Sequence, residues 1–308
     1  DRRYRFRAEA GRVLGVDIGG HKVLALVADL EGRVLHSARV AVTPRLDRRQ
    51  RLVAVDDAVR AALRGAGVPP SRVWATGVAT TGLVDGTGRV TLSEALPEWT
   101  GVDLAGHLSR QVNGPVKVEN DSKLAALAEA WRGVARYASD VVFLLAGLRT
   151  GAGLIIDGRL HRGFGNAAGE IGALPAARWI RAQEHLRSWP LRDPDEVEDV
   201  FVAAREGDRR ALAIVRRYVR DLAVGASALV LTLDPELVVL GGGFSRSADL
   251  IVDPLRRELD RWCLRVPEIR VSEFGDEGVA LGAVRLALDE VDAVLYGAAE
   301  LVSPDRFA

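Results

Sequence analysis

Short apolar runs rich in β-branched residues alternate with glycine-bearing turns near the start of the chain. The runs Val13–Ile18 and Val23–Ala28 predict two strands on either side of the turn Gly19–Gly20, and Arg33–Val42 predicts a third strand after a hairpin turn. The next segments predict a helix, a strand, a second helix and a short strand, in the order Leu52–Gly65, Val73–Val78, Val102–Gln111 and Val116–Val118.

The same order of elements begins again at Val141. Three strands are predicted at Val141–Ala146, Ala152–Ile156 and Arg159–Leu160, and later strands at Leu237–Leu240 and Ile269–Ser272. Helices are predicted over Asp195–Glu206, Arg209–Leu233, Ala248–Leu259 and Val279–Glu290. A repeat about 125 residues apart indicates an internal duplication. Each half offers a glycine turn to the cleft that two such halves would form. This layout resembles that of actin-like phosphotransfer proteins.

The composition is that of an ordinary globular protein with two domains. The chain has 308 residues, and its 42 basic residues balance 42 acidic ones, so no net charge attracts nucleic acid or a membrane. Cys263 is the one cysteine, which excludes a disulfide framework and a cysteine zinc cluster. No apolar run reaches the roughly 18 residues of a membrane helix and no signal peptide is evident, so we expect a cytoplasmic protein.

Four ordered segments carry a more specific signal. They read D-I-G-G-H-K at 17–22, V-E-N-D-S-K-L-A-A-L-A-E at 118–129, G-A-G-L-I-I-D-G-R-L-H-R-G-F-G-N-A-A-G-E-I-G at 151–172 and V-V-L-G-G-G-F at 238–244. These segments resemble the first phosphate motif, the catalytic-aspartate segment, the signature and the nucleoside-side turn of the ROK family of sugar kinases and sugar-responsive repressors. The resemblance covers nearly the whole chain. It implies an α/β, two-lobed actin-like ATPase fold with duplicated ribonuclease-H-like domains.

The resemblance also suggests how the chain is divided. ROK repressors carry a winged helix-turn-helix domain before the kinase-like part. Because the chain starts with an arginine-rich segment and holds no methionine, we expect residues 1–11 to be a linker from a DNA-binding domain that precedes this sequence. We expect residues 12–119 to form the N-terminal lobe, completed by a C-terminal helix over 291–303, and residues 120–290 to form the C-terminal lobe.

The resemblance places a sugar or related effector beside Asp121 and Glu170. In a ROK kinase the aspartate matching Asp121 takes the proton of the attacking sugar hydroxyl, and the glutamate matching Glu170 bonds sugar hydroxyls. Asn120 and Gly82 complete the expected sugar site. Structural roles stay open for all four residues: a helix N-cap for Asn120 and Asp121, a solvent-facing loop for Glu170 and a plain turn for Gly82.

The expected phosphate and nucleotide contacts are Asp17, Gly19 and Gly20 in the first half, and Gly151 and Gly242 in the second. Asp17 matches a carboxylate near the metal-bound phosphate, and the glycines would let backbone amides approach phosphate oxygens. The alternatives are a turn that merely needs glycine at Gly19–Gly20, and tight packing between a strand and a helix at Gly242.

Several residues depart from the family pattern. His21 replaces a small hydroxyl residue, and Leu148 and Arg149 replace the threonine and glycine of G-T-G-I-G-x-G. These changes weaken the ATP interpretation, although Arg149 could itself bind an anion. The family's histidine and cysteine zinc motif is absent, and His185 alone cannot form a closed zinc site, so we expect no metal site.

These departures favour the effector-sensing domain of a ROK transcriptional regulator without kinase activity. Such a domain would bind a sugar or sugar derivative, need no cofactor, reach operator DNA through an N-terminal domain outside this sequence, and form a homodimer or homotetramer. The alternative is a hexokinase- or glucokinase-like sugar kinase that uses Mg-ATP. A third interpretation is a binding or structural module whose pocket is vestigial.

Overall fold

The computed structural model describes residues 6–147, 149–190 and 198–297, and the chain divides into two compact units. The first unit ends at Leu124 and resumes at Val279, while the second comprises Ala125–Gly278. The limits that we expected at 119/120 and 290/291 stay a prediction. Within the described residues, no helix is both long and apolar enough to cross a membrane.

The first unit is built on a five-stranded sheet and a two-stranded ribbon. Its strands are β1 (Arg12–Ile18), β2 (Lys22–Ala28), β3 (Val34–Ala41), β4 (Val73–Thr80), β5 (Leu83–Val84), β6 (Val90–Leu92) and β7 (Val116–Asn120). The large sheet has the order β3-β2-β1-β4-β7. β1–β2 and β2–β3 pair antiparallel, whereas β1–β4 and β4–β7 pair parallel.

The second unit repeats this sheet. Its strands are β8 (Val141–Leu145), β9 (Gly151–Ile156), β10 (Arg159–Leu160), β11 (Leu237–Gly241) and β12 (Glu268–Val271), in the order β10-β9-β8-β11-β12. β8–β9 and β9–β10 pair antiparallel, whereas β8–β11 and β11–β12 pair parallel. The same order and the same strand directions in both units confirm the predicted α/β fold with duplicated, actin-like domains.

Helices cover the sheets. They are α1 (Arg48–Gly65), α2 (Leu104–Leu108), α3 (Asp121–Arg132), α4 (Trp179–Arg187), α5 (Glu198–Arg205), α6 (Arg209–Leu233), α7 (Ala248–Trp262) and α8 (Gly278–Tyr296). In the first unit α8 lies directly on the sheet, because a Cβ on Gly15 or Gly77 would come within 2.6 or 1.9 Å of an α8 carbonyl oxygen. In the second unit α6 is the central buried helix, and Tyr218 forms an aromatic cluster with Phe201 and Phe244, with ring centroids 5.2 to 6.2 Å apart.

Several element boundaries differ from the prediction. The helix expected over Val102–Gln111 is only α2, because Asp103 caps its start by accepting the N–H of Gly106 and the helix ends at Leu108. The sequence also did not predict α4 or the β5–β6 ribbon. The helices expected at Val279–Glu290 and 291–303 form one helix, α8, as far as Tyr296, and residues 298–303 lie outside the described residues.

Candidate functional site

The carboxyl ends of three parallel strands bring the predicted site residues of the first unit to one edge of its sheet. Ile18 of β1 pairs with Thr80 of β4, and Thr80 pairs with Asn120 of β7. The turn after β1, the loop after β4 and the start of α3 therefore leave the sheet together. Ligands of open α/β sheets bind at this edge. The predicted residues located there are Asp17, Gly19, Gly20, Gly82, Asn120 and Asp121.

The turn after β1 leaves open space at Gly20. Asp17 is buried near the end of β1, and its Oδ2 lies 3.9 Å from the Nζ of Lys22. Neither Gly19 nor Gly20 has a positive φ. A Cβ on Gly20 would come no closer than 3.8 Å to a residue other than its chain neighbours, the nearest being Pro44. The fold does not require glycine at position 20, which favours close approach of a ligand over a purely structural turn.

A buried arginine that the sequence analysis missed supports this turn. Arg51 on α1 is 0% exposed, and its Nη1 and Nη2 donate to the carbonyl oxygens of Gly19 (2.7 Å) and Thr43 (2.8 Å). Desolvation by burial lowers the pKa of its guanidinium below its ordinary value. The available signal was its spacing, since Arg51 lies on the same helix face as the buried Val55 and Ala58.

Asn120 is the residue that caps α3. Its Oδ1 accepts the N–H groups of Ser122 (3.0 Å) and Lys123 (3.3 Å), and its Nδ2 donates to the carbonyl oxygen of Gly82 (3.1 Å). Gly82 has a φ of +98°, and a Cβ there would lie 2.2 Å from the carbonyl oxygen of Leu92. Both Asn120 and Gly82 therefore have sufficient structural roles, and together they fix the loop next to α3.

Asp121 is half-buried at the first position of α3. Its Oδ1 accepts the N–H of Ser122 at 2.7 Å, so Asp121 shares one capping contact with Asn120. A buried ion pair joins the end of β7 to the first turn of α3: the Nζ of Lys123 lies 3.9 Å from the Oε1 of Glu119, and both side chains are almost fully buried. An unpaired buried charge is costly, so each of these two groups compensates the other. The pair therefore ties the start of the helix that holds Asp121 to the sheet.

The signature segment of the second unit positions Glu170 against β9. Gly169 has a φ of +88°, and a Cβ there would lie 2.4 Å from the carbonyl oxygen of Ala152. Because only glycine fits this approach, Glu170 follows at a fixed position beside the strand. Its side chain is half-buried, so it is not the fully solvent-facing carboxylate of the alternative interpretation.

The second glycine turn is partly described. Gly151 opens β9 and pairs with Leu145, and the Oγ1 of Thr150 accepts a hydrogen bond from Gln183 of α4 at 3.3 Å. Leu148 lies outside the described residues. Gly242 has a φ of +82°, and a Cβ there would lie 2.4 Å from the carbonyl oxygen of Ala146. Tight packing is therefore a sufficient reason for glycine at position 242.

The segment after the signature folds as α4, which is anchored on α6. The Nε1 of Trp179 donates to the carbonyl oxygen of Leu222 at 3.0 Å, and its indole lies against Gly172 of the signature. The buried Asp221 of α6 is contacted by three side chains, those of Arg178 (3.5 Å), Arg181 (3.2 Å) and His185 (2.8 Å). His185, which cannot form a zinc site alone, is thus a partner of a buried carboxylate.

Metal binding in the described residues is limited to small donor sets. Over that part of the chain, no three or more His, Cys, Asp and Glu side chains cluster as metal ligands would. Mg²⁺ needs fewer protein ligands, because it keeps several waters and is held by one or two carboxylates together with substrate phosphates. The buried Asp17, three residues before the open space at Gly20, fits that requirement.

A pocket of about 430 Å³ opens elsewhere on the first unit, and no predicted site residue lines it. Its polar groups include Asp56 and His107, whose Oδ1 and Nε2 are 2.6 Å apart. Gln111 donates to the same oxygen of Asp56 at 2.6 Å. These groups satisfy one another, so we assign the pocket no chemistry.

Comparison with known proteins identifies the family. The model of the ROK family matches residues 13–290. The chain belongs to the ROK family. It is 30% identical to a glucokinase of Streptomyces coelicolor, over 90% of this chain and 98% of the relative. It is also 24% identical to a xylose repressor of Caldicellulosiruptor bescii, over 92% of this chain and 79% of the repressor. A Streptomyces griseus ROK glucokinase, solved with glucose and AMPPNP, is 28% identical and matches with a TM-score of 0.77 over 91% of this chain and all of that one.

These relatives overturn the regulator interpretation. We expected a sensing domain because three residues depart from the phosphate turns, but the glucokinase matches at higher identity and over nearly its whole length. The physical reason is that backbone groups form the first turn, and the space at Gly20 is open although His21 departs from the family pattern. His21 itself is exposed. The expectations of operator DNA as a partner and of a homo-oligomer both stay predictions.

Proposed function

We propose that this ROK protein is an ATP-dependent sugar kinase that phosphorylates a hydroxyl group of a glucose-like hexose. The observation that carries the proposal is the start of α3, where the half-buried Asp121 is the first helical residue at the sheet edge and Asn120 fixes the adjacent Gly82 loop. The similarity to glucokinases over nearly the whole chain supports the same activity.

The proposed reaction needs one base and an in-line phosphoryl donor. Asp121 accepts the proton of the attacking hydroxyl while that oxygen forms its bond to the γ-phosphorus of ATP. The bond from the γ-phosphorus to the oxygen bridging it to the β-phosphate breaks, and ADP leaves. Asp121 then returns its proton to solvent. Asn120 and the Glu119–Lys123 ion pair fix the start of α3 and thereby position the Asp121 carboxylate for this step.

Each unit carries residues that we assign to sugar recognition. In the first unit the Gly82 loop, tied down by Asn120, presents backbone to the sugar. In the second unit Glu170 supplies a carboxylate that accepts hydrogen bonds from sugar hydroxyls. Its attachment to β9 through Gly169 supports this role, because sugar recognition needs acceptors at fixed positions.

Nucleotide binding is assigned to the two glycine turns. In the first turn, Asp17 would hold the Mg²⁺ that accompanies ATP, and the N–H of Gly20 would donate to a phosphate oxygen. In the second turn, Gly151 and Thr150 lie next to Arg149. Arg149 replaces the glycine of the family motif with a cation that is suited to phosphate. Bound Mg²⁺ supplies neutralisation of phosphate charge.

The test is ADP release from Mg-ATP over a panel of glucose, mannose, fructose and N-acetylglucosamine. We expect at least one sugar to stimulate ADP release well above the rate without sugar, with the phosphate recovered on the sugar. Asp57→Asn is the matched control, because Asp57 is an exposed aspartate of α1 that pairs with Arg60, and it should keep the wild-type rate. Sugar binding without stimulated ADP release for every sugar would reject a kinase.

A further inference from the structure

Arg51 connects two backbone segments beside the first glycine turn. Its guanidinium donates to the carbonyl oxygen of Gly19 within the turn and to that of Thr43 in the segment after β3. Pro44, which follows Thr43, is the residue nearest to the open space at Gly20. The buried side chain of Arg51 therefore fixes the two backbone segments, at Gly19 and at Thr43, that border this space.

The bond to Gly19 sets the direction of the next amide. The Gly19–Gly20 peptide is trans, since the chain has no cis peptide bond in its described part, and a trans peptide directs its C=O and N–H to opposite sides. Because the carbonyl oxygen of Gly19 faces Arg51 inside the unit, the N–H of Gly20 faces away from it. In the part of the chain that the structure describes, this N–H has no acceptor. A charged donor on the carbonyl also polarises the peptide and strengthens the N–H as a donor.

In the described part of the chain, no carboxylate balances the charge of Arg51. Among the described residues its contacts are the two carbonyl oxygens and the ring of Trp99, whose centroid is 6.0 Å from Cζ, and its buried Nε lacks a hydrogen-bond partner. An unpaired buried cation is costly. An anion on the other side of the turn would compensate it through the polarised peptide.

We propose that Arg51 is a positioning residue for nucleotide phosphate: it turns the Gly19 carbonyl inward so that the N–H of Gly20 faces the phosphate, and its buried charge strengthens binding of that anion. The proposal rests on the kinase function only for the identity of the anion. Arg51 has no role in sugar binding on this account.

The experiment measures Mg-ADP and sugar dissociation constants by calorimetry for the wild type, Arg51→Met and Arg51→Lys, together with KM for ATP and kcat. We expect Arg51→Met to weaken Mg-ADP binding about tenfold, the loss typical of a charged hydrogen bond, and to leave the sugar constant within about twofold. Arg51→Lys should restore part of the affinity, because it keeps the charge but reaches one carbonyl at a time. Arg60→Met, an exposed arginine of the same helix, should match the wild type.

A folded Arg51→Met protein with wild-type Mg-ADP affinity would overturn the proposal, as would equal losses of sugar and nucleotide affinity, which indicate a general structural role. If Arg51→Met does not fold, Arg51→Gln replaces it, and its Mg-ADP and sugar dissociation constants are judged in the same way. The two proposals fail separately. A wild-type protein that binds Mg-ADP but transfers no phosphate rejects the kinase and leaves Arg51 under test, whereas a wild type that binds no nucleotide rejects both.

Discussion

The carboxamide nitrogen of Asn120 donates a hydrogen bond to the carbonyl oxygen of Gly82, 3.1 Å away. The carboxamide oxygen of the same side chain caps α3. One side chain thus joins the loop after β4 to the helix that begins with Asp121. The position of the proposed base and the position of the proposed sugar loop depend on each other through this residue.

Asn120→Ala should remove both contacts. We expect the free energy of unfolding to fall by about 1–2 kcal/mol, as for loss of a helix cap, and KM for the sugar to rise more than KM for ATP. Urea denaturation and steady-state kinetics measure the two effects. Asn113→Ala, at an exposed asparagine of the same unit, serves as the control. If Asn120→Ala keeps the wild-type stability and the wild-type KM for the sugar, the hydrogen bond to Gly82 contributes neither to folding nor to sugar binding.

Two glycine substitutions should separate a ligand space from a packing requirement. Gly20→Ala places its methyl group in open space at a position without positive φ, so the melting temperature should hold while nucleotide affinity falls. Gly242→Ala forces a side chain onto a φ of +82° and against Ala146, which should cost roughly 1–2 kcal/mol of stability or more. Thermal melts and nucleotide titrations distinguish them. If Gly20→Ala and Gly242→Ala destabilise the protein equally, glycine at position 20 is required by the turn and not by a ligand.

The sequence predicted the strands well because their signal is local. The β-branched runs from Val13 and Val141 and the turns that follow them are readable residue by residue, and so is the long α6. Arg51 was not predicted, since its role depends on carbonyl groups of Gly19 and Thr43 that only the fold brings to α1. For the same reason the sequence left Asn120 and Asp121 as equal candidates for the cap. The structure shows that both side chains accept the N–H of Ser122 and that Asn120 also bonds the Gly82 loop.

The α4 segment shows a second limit. Arg178, Arg181 and His185 are spaced like a solvated helix face, yet they converge on Asp221, which is 36 residues after His185 and buried. Sequence spacing within α4 does not reveal a partner on α6. The prediction of a regulator was wrong for a related reason. It rested on side chains that depart from the family motif, such as His21 and Arg149, whereas the turns that bind phosphate use backbone groups.

Asp221→Asn should destabilise the second unit. The substitution leaves two arginines and His185 around a neutral amide. Because the two arginines are about half exposed, we expect a loss of about 2 kcal/mol rather than the larger penalty of a fully buried pair. Asp234→Asn breaks an exposed pair with Arg265 and should cost less than about 1 kcal/mol. Chemical denaturation measures the free energy of unfolding of both variants. Similar small losses in both would show that the ion cluster at Asp221 does not anchor α4.

Glu129 should make stability depend on pH. Burial raises the pKa of its carboxyl above the ordinary 4.5, so the folded state holds the proton more tightly than the unfolded state does. This contribution is fully present below the unfolded pKa and is lost as the pH rises through the raised folded pKa. Glu129→Gln keeps a neutral side chain at every pH.

The free energy of unfolding of Glu129→Gln relative to wild type should therefore rise with pH above about 4.3. Urea denaturation between pH 4 and pH 8 measures the difference, and Glu206→Gln, at an exposed glutamate, should show no such trend. A constant difference across the range would mean that the carboxyl group of Glu129 titrates as it does in the unfolded chain.

If Asp121 is the base of a sugar kinase, the turnover of Asp121→Asn must show it. The amide keeps the size of the carboxylate and can still accept the N–H of Ser122, so the sugar dissociation constant should stay within a few-fold of wild type. Sugar-dependent ADP release should fall by about a hundredfold or more, as for loss of a general base. Turnover at the wild-type rate in Asp121→Asn would contradict the account.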